Sequence, residues 1–92
     1  MAIQIMEIRI SPAVEFKLRS KHHLTGEIVR EAIQYPSVIN CEWVSSHKLG
    51  RRLIVRGETI QNRQIVAVLH QANFDLGVWN LATAWIELRK NS

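Results

Sequence analysis

Apolar residues alternate imperfectly at the start of the chain. Ile3 and Ile5 hold one phase, and Met6, Ile8 and Ile10 hold the other. The slip predicts a strand over Met1–Ile10 that carries a bulge or ends early. Ser11-Pro12 predicts a helix start, because serine caps well and proline at the first helical position loses no hydrogen bond. That helix runs to about Lys21, with Val14 and Leu18 on one face. Thr25 predicts a second N-cap, with Glu27 complementing the helix dipole in the first turn. Ile28, Val29, Ala32 and Ile33 then recur at helical spacing. Tyr35-Pro36 stops this helix, since the residue before proline is pushed out of the α region.

Beyond the helices the period falls to two. Ile39, Cys41 and Trp43 alternate, which predicts a strand with Cys41 in the core. Ser45–Gly50 reads as a turn. Arg52–Arg56 reads as a strand with Leu53 and Val55 on one face and Arg52, Ile54 and Arg56 on the other. Gly57–Asn62 is a polar connection, and Gln64–His70 is a nearly continuous run of β-formers suited to a central strand. Gln71–Gly77 reads as a turn and Val78–Ala82 as the last strand. Thr83 predicts the cap of a short helical tail containing Trp85, Ile86 and Leu88. The order β-α-α-β-β-β-β-α predicts an α+β fold. Its expected form is a small antiparallel β-sheet with two N-terminal helices on one face and a short C-terminal helix.

Length and composition narrow the function classes. A chain of 92 residues, 47% apolar and 22% charged, fits one soluble domain spanning residues 1–92. It is too short for a barrel enzyme or a doubly wound nucleotide-binding sheet. No apolar run reaches the length of a membrane helix, and Met1–Ile10, with Glu7 and Arg9, does not read as a signal peptide. Cys41 stands alone, which excludes a disulfide within the chain and any cysteine-cluster zinc site, and suggests a reducing, cytoplasmic setting. The adjacent His22 and His23 diverge, and His47 and His70 lie far off in sequence, so neither a metal nor a cofactor is expected.

Charge sharpens the picture further. The formal net charge is +4, and eight of the twelve basic residues are arginine, four of them within Arg51–Arg63. Arginine suits bidentate phosphate contacts. If the strands flanking Gly57–Asn62 pair as a hairpin, Arg63 falls near Arg52 and Arg56. Three guanidinium groups there would bind a phosphodiester backbone or stabilise a pentacoordinate phosphorus. A solvated polar face paired to Glu42 or Glu58 explains the same residues equally well. His22-His23, beside Lys21 at the helix junction, supplies a general acid or base, or simply a helix terminus.

Two stretches together resemble a known family. Glu15 through Val29, with Lys21-His22 before the capped second helix, is similar to the start of BrnT-like toxins. Arg52-Leu53-Ile54-Val55-Arg56-Gly57-Glu58-Thr59, Asn62 through Leu69, and Leu81-Ala82-Thr83-Ala84-Trp85 resemble the core of that family. The likeness is loose and covers roughly residues 5–88 in the same order. His23 and Asn62 stand where the family usually has glycine, and Trp85 where it usually has arginine. These toxins belong to the RelE-like ribonucleases. The resemblance therefore implies a metal-independent endoribonuclease, the toxin half of a type II toxin–antitoxin pair.

On that reading the catalytic residues are His22, Lys21, Arg52 and Arg63, and Lys17, Arg56 and Thr83 bind substrate phosphate. The partners it implies are RNA and a cognate antitoxin, with no membrane, in a homodimer or a toxin–antitoxin hetero-oligomer. The competing expectation is a non-catalytic basic module, or a degenerate toxin, that binds RNA or protein. A third is a subunit of a small oligomer with no nucleic-acid role.

Overall fold

In a computed structural model the described residues are 5–33, 38–46, 50–59, 61–73 and 76–87. Helix α1 spans Pro12–Lys21 and α2 spans Gly26–Ile33. Both start as the caps dictate. Ser11 Oγ accepts from the Val14 amide at 3.2 Å, and Thr25 Oγ1 accepts from the Ile28 amide at 3.2 Å. Glu15 adds a tertiary tie. Its two carboxylate oxygens accept from the Gly26 amide at 3.0 and 3.1 Å, while Arg19 Nε donates to it at 2.8 Å. A carboxylate thus sits at the positive end of α2 and holds the two helices together.

Five strands follow the predicted runs: β1 (Glu7–Arg9), β2 (Val38–Ser46), β3 (Gly50–Glu58), β4 (Gln64–Asn73) and β5 (Val78–Glu87). They form one sheet in the order β1-β5-β4-β3-β2. β2 to β5 are an antiparallel meander, and β1 joins the far edge parallel to β5. The phase slip near the start is real. Met6 and Glu7 amides both donate to the Gly77 carbonyl, and Ile5 and Ile8, three apart, are both buried.

Two parts of the expected fold are corrected. The sheet is mixed rather than antiparallel, because the helical pair returns the chain so that β5 lies alongside β1 in the same direction. No C-terminal helix starts at Thr83 among the described residues: β5 continues through Thr83, Trp85 and Ile86 to Glu87. A register shift between Val68 and Leu69 on β4 pairs them with Thr83 and Leu81, leaving Ala82 as the extra residue of a bulge. Leu81 and Ala84 are therefore both buried at a spacing of three, which imitates a helical stripe. Leu88, the Tyr35-Pro36 stop and residues 1–4 lie outside the described residues.

The core lies on one face of the sheet. Leu18, Leu24, Val29, Ala32 and Ile33 from the helical layer meet Ile8, Leu53, Val55, Ile65, Ala67, Leu69, Trp79, Leu81 and Ala84 from the strands. Gly57 lets α2 approach β3: a Cβ built there would overlap the backbone carbonyl oxygen of Ala32. Cys41 is exposed, because β2 is an edge strand. Neither described helix is long and apolar enough to cross a membrane.

Candidate nucleic-acid interface

Strand alternation sends every second residue to the face that carries neither described helix, the helix-free face. Leu53, Val55 and Gly57 point into the core, so Arg52, Ile54, Arg56 and Glu58 point away from it. Cross-strand register then assembles rows across the sheet. Val44 pairs with Arg52, and since Leu53 pairs with Leu69, the next position along brings Arg52 opposite His70, which pairs with Asn80. The second row is Glu42, Ile54, Val68 and Thr83. The third is Asn40, Arg56, Val66 and Trp85. Arg9, opposite Asn80, continues the first row at the far edge.

Arg52 is the most unusual group on this face. Its Nε is enclosed but donates to no acceptor among the described residues. An enclosed guanidinium N–H without an acceptor carries an uncompensated desolvation cost. His70 responds to the same surroundings. Partial burial, and then the Arg52 charge, hold its pKa below the usual 6.5, so the imidazole is neutral at pH 7. A neutral base and an arginine with a spare donor therefore sit in adjacent register.

Arg56 is already engaged. Its Nε donates to Glu87 Oε2 at 3.2 Å, reaching across β4 to β5. Both side chains are about two-fifths exposed (41% and 40%), so the pair is weak and open to competition. Thr83 is half-buried beside Val68 on the same face.

The other expected site residues lie elsewhere. Lys17 and Lys21 are exposed on α1, and His22 is its C-cap, with its amide donating to Leu18. All three belong to the helical layer, with the sheet between them and Arg52. His23 beside them adopts a left-handed conformation (φ 54°). Arg63 also departs from the Arg52 face. Gln64 pairs with Glu58, which shares the Arg56 face, so alternation turns Arg63 the other way. It lines a cleft of about 280 Å³ with Ile28 and Glu31 of α2, Thr59 and Gln61. The turn there is closed by the Arg63 amide on Thr59 Oγ1 and by Asn62 in a left-handed conformation (φ 63°).

His70 did not stand out in the sequence. The only signal was its position at the polar end of the Gln64–His70 run. Counting back from a hairpin closed at Glu58 and Gln64 brings it to Arg52. Among the described residues no three His, Cys, Asp or Glu side chains gather where they could hold a metal ion. The chain matches no family model, no curated protein and no solved structure.

Proposed function

We propose that the protein binds RNA on its helix-free sheet face and cleaves it there, acting in the cytoplasm as the toxin half of a toxin–antitoxin pair. The observation that carries the reading is the Arg52–His70 pair: an enclosed guanidinium N–H with no acceptor, next to a neutral imidazole. His70 accepts the proton of a 2′-hydroxyl, and the 2′-oxygen attacks phosphorus. Arg52 balances the added charge on the phosphorane. The 5′-oxygen leaves with a proton from water, giving a 2′,3′-cyclic phosphate and a 5′-hydroxyl end. Arg56 and Thr83 hold neighbouring phosphate. The toxin assignment rests on the resemblance. It gains support from backbone geometry, since His23 and Asn62, the two left-handed residues other than glycine among the described residues, fall where the family usually has glycine.

The test is incubation of the protein with single-stranded RNA and DNA of one sequence in the presence of EDTA. RNA is cut, DNA lacking the 2′-hydroxyl is spared, and Arg52→Ala abolishes cutting. Expression in cells arrests growth, and the same substitution relieves it. The separation of Lys21 and His22 from Arg52 favours a second reading, an RNA-binding module without cleavage. Salt-dependent RNA binding with no cut product would establish that reading instead. Absence of RNA binding would overturn both.

The Arg56–Glu87 pair yields a further expectation. Glu87→Gln frees the guanidinium and removes a carboxylate from the phosphate path. RNA affinity at low salt should rise about two- to five-fold, the range of an exposed ion pair, and the gain should shrink as salt screens it. Titration of labelled RNA at two ionic strengths measures both. An affinity that falls would mean that Glu87 orients Arg56 rather than occupying it.

A further inference from the structure

On the helix-free face apolar and cationic positions are interleaved. Val66 is only 1% exposed although neither described helix covers its side of the sheet. Its neighbours in register are Trp85 on β5 and Arg56 on β3, whose guanidinium reaches across to Glu87. Trp85 remains 37% exposed, and Val68 and Ile54 extend the apolar surface in the next row. Arg52 and His70 lie one row beyond. A large aromatic that is half seated and half open, within two strands of two arginines, meets the requirements of a stacking platform beside a phosphate path.

We propose that Trp85 stacks a nucleobase of single-stranded RNA while Arg52 and Arg56 hold the flanking phosphates. This rests on RNA being the ligand of this face and specifies its form. A duplex keeps its bases stacked on one another and offers no free π-face, so single strands are selected. The guanidinium groups favour RNA over an apolar partner: Arg56 lies one strand beyond Val66, the register neighbour of Trp85, Arg52 lies two rows along, and Glu42, Glu58 and Glu87 on the same face set the charge they must outweigh.

The other two tryptophans allow a direct readout. Trp79 is fully buried, and Trp43 lies on the opposite face under the Arg51 guanidinium, 4.1 Å from its ring. Only Trp85 meets a ligand bound on the open face. Titration with a single-stranded decamer should quench tryptophan emission in the wild type and not in Trp85→Phe. Affinity should stay near wild type in Trp85→Phe and fall about five-fold or more in Trp85→Leu, which keeps apolar bulk without a π-face. Circular dichroism confirms that each variant is folded, and a duplex of the same sequence should bind weakly without quenching. If the decamer binds the wild type but Trp85→Leu binds it equally, or the duplex binds as tightly, the stacking proposal fails while RNA binding stands. If the decamer does not bind at all, RNA is not the ligand. Equal quenching by polyglutamate would assign the face to an acidic polypeptide instead.

Discussion

Gly57→Ala should destabilise the protein by about 3 kcal/mol or more, which for a domain of this size lowers the melting temperature by roughly 12 °C or more. The cause is contact rather than conformation. The added methyl would occupy the space of the Ala32 carbonyl oxygen, and its next neighbours are the Ala32 carbonyl carbon and the Ile33 Cα. All three are backbone atoms of the last turn of α2, so no side chain can swing aside. The helix must lift from β3, and Val29, Ala32 and Ile33, all fully buried, lift with it. Gly50→Ala is the matched control. Nothing lies within 4 Å of its added methyl, and its cost is confined to the left-handed backbone (φ 72°), about 1 kcal/mol. Thermal melts of the two variants should therefore separate widely. A Gly57→Ala melt within a few degrees of wild type would contradict the close approach of helix and sheet.

The same glycine shows where sequence patterns are informative. Local rules located both helix starts, because capping is decided by neighbours: Ser11 with Val14, and Thr25 with Ile28. Alternation placed Arg52, Ile54 and Arg56 together opposite Leu53 and Val55, which holds in the structure. What sequence concealed depends on register between strands. Ala82, extra in the β4–β5 pairing, shifted the inward phase and made a strand look like a helix beginning at Thr83. Gly57 read as part of a polar connection because its role is an approach to a helix distant in sequence. Arg63 was placed beside Arg52 by proximity, but one residue of alternation turns it to the α2 side. His70 became visible only once Leu53 was paired with Leu69.

That register gives the second large effect, in the pH dependence of cleavage. On the proposed mechanism His70 acts as base in its neutral form, so the rate should rise with pH along an acid limb whose midpoint lies below 6.5, as burial and then Arg52 dictate. Arg52→Gln removes the charge but not the burial. The limb should move up toward 6.5 without reaching it, while the plateau falls about 100-fold or more with the loss of the phosphorane contact. The same titration feeds into stability. A depressed folded pKa means that the unfolded chain takes up the proton first. The His70 contribution is therefore complete above pH 6.5 and is lost as pH falls below that value and through the folded one. Denaturant melts between pH 5 and 8 should show this slope, and His70→Asn should flatten it. NMR titration of the imidazole in wild type and Arg52→Gln measures the shift without reference to activity. His22→Gln separates the two candidate histidines, since His22 caps α1 on the far side of the sheet. If that variant abolishes the acid limb and His70→Asn leaves it in place, catalysis belongs to the helix junction and not to this face. An Arg52→Gln variant that keeps both its plateau and its midpoint would remove Arg52 and His70 from the chemistry altogether.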